Sequence, residues 1–554
     1  MATTPDSLPD IPTAASRPQA ESCRAPGAAR ARLWTRLLQP SLFDVLLLAV
    51  PLWFFGLAEG GIRLLLVDGD TGWHIRTGEW ILANRSFVHH DLFSFSKAGE
   101  PWFAWEWLAD VILALLHSWG GLQAVALFGL VVGTLFCGVV FRMMVWRGAN
   151  FWVALPLAFA AFTAATLHLL ARPHIFTMLF VPLAAWWIQA DLRRPSPWIW
   201  LLAPFTVLWA NLHGGWLALV SLLGLASAGL AAESVFGQRQ WGQALRYAAL
   251  TAACLAASLV NPYGWKLHAH TLDYLRADHI RNIVGEFRSP SFRGEPMLHY
   301  ELVLLAACAV SGLLLARRRF VAPFWILFWA HASLQSARHI PLFVAVALPF
   351  VAGELQQLWD AWAARGGRRS TLGVLTELAE GFGRDLRRMT PWPAVVLGLA
   401  VAGVLPLPRI DDFPGEHFPA GMVRKHGALM QEARILTKDQ WADYLIYRLH
   451  PRVKVFFDGR SDFYGKDLAM EYLGMMEGRH DWRELLEKYR FDTVLLPPGV
   501  PLASLLKISP EWTVVDDDGA AVLFRRKPRT EAALRQRVFA GCSNCPASAP
   551  NEIP

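Results

Sequence analysis

Apolar blocks recur along this chain, and most are long enough to cross a lipid bilayer. A hydrocarbon layer about 30 Å thick takes about 20 helical residues, at roughly 1.5 Å each. The blocks fall at 41–58, 121–141, 151–167, 175–190, 197–211, 215–232, 246–260, 300–316, 320–336, 341–357 and 392–408. Eleven spanning helices are therefore expected, in an all-α polytopic membrane domain. The stretch 105–118 is shorter and reads as a helix lying at the membrane interface. The chain is 54% hydrophobic and only 18% charged, against about a quarter charged in soluble proteins.

The spacing of arginines sets the orientation. Arg24, Arg30, Arg32 and Arg36 precede the first block. Arg142 and Arg147 follow the second, Arg193 and Arg194 the fourth, Arg239 and Arg246 lie after the sixth, and Arg317, Arg318 and Arg319 follow the eighth. Arg365, Arg368, Arg369, Arg384, Arg387 and Arg388 follow the tenth. Cytoplasmic loops carry such excess, so one parity places every cluster inside, as in a multi-pass bacterial inner-membrane protein. The net charge of +7 then reports topology rather than binding to nucleic acid. Residues 59–120, 261–299 and 409–554 lie outside, on the periplasmic side, and any chemistry is sought there.

The remaining organisation is coarse. Residues 1–38 are rich in Pro, Ala and Arg and read as a disordered cytoplasmic N-terminus. Residues 39–408 form the membrane domain. Residues 409–530 change character: strands are expected at 433–437, 453–457, 492–496 and 521–525, with helices at 439–449 and 481–489. That alternation predicts a small α/β domain. Residues 531–554 read as a flexible tail. Its Cys542 and Cys545 have zinc-ligand spacing but no second pair, so a disulfide outside the cytoplasm is the simpler reading. Cys137, Cys254 and Cys308 lie in apolar blocks and read as small core residues.

Polar residues concentrate in the loop after the first block. It holds Asp68, Asp70, His74, His89, His90, Asp91, Glu106 and Asp110 among Trp73, Trp80, Trp102, Trp105 and Trp107. Carboxylates at a membrane surface are costly unless solvated, paired or metal-bound. Asp70 and His74 are one helical turn apart and share a face. That makes them candidate ligands for a divalent metal, Mg²⁺ or Mn²⁺. Aromatic faces beside carboxylates suit a sugar, although the tryptophans also read as interfacial anchors.

This arrangement resembles the GT-C superfamily of integral-membrane glycosyltransferases. In that superfamily a long first outer loop carries a catalytic acid soon after the first helix, and many members end in a soluble α/β domain. Asp68 and Asp70 match the position of the acidic motif. The longer stretch DTGWHIRTGEWIL, continued by DLFSFSKAGEPWFAWEWLA, is similar to a group of uncharacterised bacterial membrane proteins. The resemblance implies sugar transfer from a polyprenyl-phosphate or diphosphate donor to a glycan, lipid or protein acceptor. It implies Asp70 or Asp68 as the catalytic residue, Asp70 being favoured, either as general base or as metal ligand. Trp441-Ala-Asp443-Tyr444 is faintly similar to the acceptor-recognition motif of oligosaccharyltransferases but lacks one Trp and the Gly.

Further outer residues are candidates for holding the substrate. A polyprenyl diphosphate needs cations and planar donors, which arginine supplies. Arg172, Arg288 and the Arg338-His339 pair sit at outer helix ends, with His74, Glu106, His268 and Glu286 on the same side. Snorkelling to lipid phosphate would explain the arginines equally simply. Asp458, Arg460 and Asp462 follow an expected strand, either as a salt-bridged turn or as the lining of a site. His213 reads as satisfying backbone carbonyls in a turn. Two other functions remain open. A transporter or flippase would place ionisable groups mid-membrane, and the mid-spans here are nearly free of them. A non-catalytic envelope scaffold would make the loop carboxylates dispensable.

Overall fold

The computed structural model describes residues 39–528 except 278–279, 281–283, 406 and 408. The expected disordered N-terminus with its arginines, and the tail with Cys542 and Cys545, lie outside the described residues.

Helix α1 (Leu42–Gly56) opens on a reciprocal cap. Ser41 Oγ accepts from the Asp44 amide, and Asp44 accepts from the Ser41 amide at 2.7 Å, satisfying two otherwise orphaned donors. A 3₁₀ turn at Gly61–Leu66 leads into α2 (Asp70–Asn84). The next helix, α3, runs Trp107–Trp146 but breaks at Gly120 and Gly121, where the backbone is not helical. The expected separation of 105–118 from the following span is this break. Then come α4 (Phe151–Thr166), α5 (His174–Arg193), α6 (Leu202–Leu212), α7 (Leu217–Glu233) and α8 (Trp241–Ala257). The outer segment α9 (Trp265–Arg276) precedes α10 (Glu295–Ala316), α11 (Val321–Gln335) and α12 (Ile340–Gly366). Helices α13 (Thr371–Arg387) and α14 (Trp392–Val401) complete the helical part.

A helix lies at each of the eleven expected positions, yet among the described residues five helices are long and apolar enough to cross a membrane by length and composition. Glycine and proline shorten others. The block 392–408 stops at Val401, where Gly403 takes φ +69° and Pro406 and Pro408 follow. Helix α13 was not expected from the sequence, because its arginines read only as a topology signal. It is amphipathic: Val374, Leu378 and Phe382 form an exposed apolar row at i, i+4 and i+8. Cys254 is buried, but Cys308 is exposed on α10 and is no core residue.

The C-terminal part contains α15 (Ala420–Met430), β1 (Ile435–Thr437), α16 (Asp439–Leu449), α17 (Ser461–Met476) and α18 (Trp482–Lys488). It ends with β2 (Thr493–Leu496), α19 (Pro501–Lys507), β3 (Trp512–Asp517) and β4 (Val522–Arg526). The strands form one mixed sheet in the order β1-β2-β4-β3, with β1 parallel to β2 and the other pairs antiparallel.

The segment expected as a strand at 453–457 is not one. Val455 makes isolated bridges to Ile435 and to Ser94 of the first outer loop. Its carbonyl accepts from the Phe95 amide at 2.9 Å, and its amide donates to the Phe93 carbonyl at 3.0 Å. The segment's hydrogen bonds are thus spent on joining the loop to the C-terminal part.

Helix α16 lies along α2 for the same purpose. A side chain at Gly69 would meet the Gln440 carbonyl at 2.4 Å, and one at Gly72 would meet the Asp443 carbonyl at 2.9 Å. Only glycine permits that approach. The Gly69 amide donates to Gln440 Oε1 at 2.6 Å. The first outer loop and the C-terminal part therefore occupy the same side of the helical domain.

Candidate active site

Six helix beginnings converge beside Asp70. Asp70 is the first residue of α2, Glu106 is the N-cap of α3, and Pro173 with Arg172 precedes α5. His213 caps the 3₁₀ turn entering α7, Arg338 lies in the turn entering α12, and Arg460 caps α17. All of them line one small cavity of about 90 Å³, roughly the volume of three water molecules. The unpaired amides and dipoles at these ends favour an anion.

Arg172 organises the charges. It donates to Asp68 at 2.8 Å, to Asp70 at 2.8 Å and to Glu286 at 2.9 Å. Arg338 approaches Glu286 at 3.8 Å and lies over the Phe287 ring at 4.4 Å. Burial works against the Glu286 carboxylate, but Arg172 and Arg338 hold its pKa well below the usual carboxylate range.

Asp70 differs. Burial, followed by the neighbouring Asp68 charge, raises its pKa to about 7, against the pull of Arg172. Its Oδ1 is buried without a hydrogen-bond partner, and so is Oδ2 of Asp443. A side chain at Gly459 would stand 2.0 Å from the first and 2.8 Å from the second. The two carboxyls therefore meet over Gly459, with burial and the Asp70 charge pushing Asp443 well up.

A second acid lies across the cavity. Glu106 is within 3.4 Å of His213 Nε2 and 3.7 Å of His74 Nε2. Burial raises its pKa to about 8, so near neutrality it is a neutral carboxylic acid. His74 Nδ1 faces Asp110 at 2.5 Å. His213 Nδ1 accepts from the Gly215 amide at 3.0 Å, which leaves its Nε2–H directed at Glu106.

The C-terminal part closes the cavity. Arg460 is clamped by Asp458 at 2.6 Å and Asp91 at 2.9 Å, and it lies over Trp102 at 4.6 Å. Its Nη1 is buried without a partner. Asp462 pairs with His270 at 3.1 Å, while Trp73, Trp105 and Tyr274 supply aromatic walls.

Of the residues singled out in the sequence, Asp70, His74, Glu106, Arg172, Glu286, Arg338 and Arg460 line this cavity, and Asp68 adjoins it through Arg172. Asp458 is fully buried behind Arg460, accepting from it and from Tyr464. His268 faces Ser258 at 2.9 Å and stacks on Trp265, away from the cavity. His339 turns to the Ala332 carbonyl at 3.1 Å, and Arg288 is not among the lining residues.

Asp70 and His74, the expected metal pair, both line the cavity. His74 is directed at Asp110 and Glu106, and Arg172 occupies the cationic position beside Asp70. Among the described residues no three His, Cys, Asp or Glu side chains gather as a ligand set.

Asp462 and Gly459, which follow the segment 453–457 together with Arg460, line the cavity as well, whereas Asp443 and Tyr274 belong to the site without being expected there from the sequence. The Trp441-Ala-Asp443-Tyr444 stretch did mark Asp443. Its two aromatic residues are buried, with Trp441 donating to the His417 carbonyl and Tyr444 to Asp412, so they hold the domain together rather than face a ligand.

No family model matches the chain, and no curated protein matches it. Among the solved structures similar to it in backbone are two oligosaccharyltransferases. One is the archaeal oligosaccharyltransferase AglB from Archaeoglobus fulgidus, in complex with an inhibitory peptide and a dolichol-phosphate. It has a TM-score of 0.49 and 11% identity over 82% of this chain and 68% of that one. The other is the Archaeoglobus fulgidus oligosaccharyltransferase tethered to an acceptor peptide containing the NVT sequon. Its TM-score is 0.49 with 11% identity, over 81% of this chain and 68% of that one.

Proposed function

We propose that this chain is a membrane glycosyltransferase. It moves a hexosyl or pentosyl group from a polyprenyl-phosphate or diphosphate donor to a glycan, lipid or protein acceptor, on the periplasmic face of a bacterial inner membrane. One observation carries the reading. Six helix beginnings and three arginines surround a buried carboxyl pair at the outer end of apolar helices. Such a site suits a ligand whose phosphate is anionic and whose tail is lipid.

In this reading Arg172, Arg338 and the helix ends balance the charge that develops on the departing phosphate. The sugar lies against Trp73, Trp102 and Trp105. Asp70 takes the proton of the acceptor hydroxyl or amide, since a base with a pKa near 7 is matched to work at neutral pH. Asp443 positions Asp70 and shares its proton. A sugar ring is larger than the cavity, so the donor enters by parting the side chains that close it.

The test is Asp70→Asn in cells labelled with radioactive sugar. The variant should insert into the membrane normally while lipid-linked sugar accumulates and the transferred product disappears. Undiminished product would remove Asp70 from the mechanism.

A further inference from the structure

A second cavity, of about 520 Å³, lies at the other end of α5. Arg172 and Pro173 at the start of α5 line the Asp70 site, whereas Arg193 and Arg194 at its end line this one. Helix α5 has 20 residues, which is about 30 Å of rise, so the two cavities open on opposite faces of the membrane. Its walls are Trp146, Trp187, Asp191, Arg193, Arg194 and Ser196.

The charges in this cavity do not balance. Its single acid is already engaged: Asp191 accepts from Arg246 at 2.7 and 3.1 Å, from Tyr247 at 2.9 Å and from the Ser196 amide at 2.8 Å. Arg193 lies over Trp146 at 3.7 Å, and neither it nor Arg194 has a carboxylate partner among the described residues. Both are exposed. Arg147, one residue beyond Trp146, is engaged elsewhere, held by Gln189 at 2.8 Å and lying over Phe350 at 4.3 Å. Guanidinium groups seek bidentate oxyanions, and tryptophan prefers the headgroup depth of a bilayer.

We propose that this cavity binds the headgroup of an anionic glycerophospholipid, its phosphodiester held between Arg193 and Arg194 and its glycerol against Trp146 and Trp187. The occupant is a lipid rather than a soluble phosphate because the cavity opens where α5 leaves the apolar layer. The site is separate from the Asp70 cavity and does not depend on the proposed transfer reaction.

The experiment uses the full-length protein in nanodiscs of phosphatidylcholine containing a minor share of phosphatidylglycerol. Native mass spectrometry counts the lipids retained on release. Phosphatidylglycerol should be enriched on the protein above its share of the disc. Arg193→Ala with Arg194→Ala should lower that enrichment roughly 20- to 30-fold. Arg194→Glu, at an exposed position, reverses one charge if the double variant fails to fold, and should lower it comparably. Equal retention of the two lipids, or full enrichment in Arg194→Glu, would overturn the proposal. So would displacement of phosphatidylglycerol by millimolar glycerol phosphate, which would make the site one for a free phosphate.

Discussion

The two ends of α5 each hold a buried acid beside an arginine, and they are built on opposite principles. Around Asp191 every carboxylate lone-pair direction is used, by Arg246, Tyr247 and the Ser196 amide. Around Asp70 one oxygen is held by Arg172, while the other is buried against the facing oxygen of Asp443, with no N–H donor to either. A saturated ion pair holds helices together and has nothing left to offer a ligand. A buried acid left unsaturated costs stability, and such costs persist where a site uses them. Both networks pair an aspartate with an arginine, so the difference lies in what remains unpaired.

That contrast can be broken by experiment. The largest effect should come from Asp70→Asn, which should lower sugar transfer by about 10²- to 10⁴-fold, the usual span for a general base. Arg338→Ala should lower transfer by roughly 10²- to 10³-fold by removing charge stabilisation, with Arg338→Lys recovering only part because the planar fork is lost. Asp191→Asn should do the reverse. It should destabilise the protein by about 2–4 kcal/mol, read from thermal unfolding in detergent, since Arg246 loses its buried partner. Transfer per folded molecule should stay unchanged; a large loss of transfer there would erase the distinction between the two ends.

Gly459→Ala is a finer probe. The added methyl would collide with Asp70 Oδ1, so about 1–3 kcal/mol of overpacking strain is expected, together with a changed pH profile. In the native protein, transfer should rise with pH and reach half its maximum near 7, where Asp70 loses its proton. The raised pKa fixes the sign for stability as well. Between the ordinary carboxylate value and about 7 the folded chain keeps a proton that the unfolded chain has lost. Stability from this group therefore falls as pH rises through that window. Asp70→Asn should flatten that slope, and a slope identical to the parent would show that Asp70 is not the titrating group.

How far the site was legible follows from where its parts lie. Asp70, Glu106 and Arg172 are marked in the sequence because charged groups at the ends of apolar blocks are conspicuous. Arg338 and Glu286 are candidates because the sequence expects both on the same side of the membrane. His268 and His339 satisfied the same criterion and turned elsewhere, because sidedness selects a surface and not a direction on it. Gly459 and Asp443 carried little local signal of their roles. Their importance comes from contact with the first loop, as with Gly69 and Gln440, which stand 371 positions apart.

By itself the sequence determined the apolar helices, the arginine clusters between them and the density of acids in the loop after the first. These follow from hydropathy and charge, which act over windows of about 20 residues. Only the tertiary structure decided which acid is left unsaturated, that Arg172 bridges three carboxylates, and that 453–457 ties the first loop to the edge of the sheet. Hydrogen-bond saturation is settled by atoms a few ångströms apart in space, and no local pattern records which distant segments will supply them.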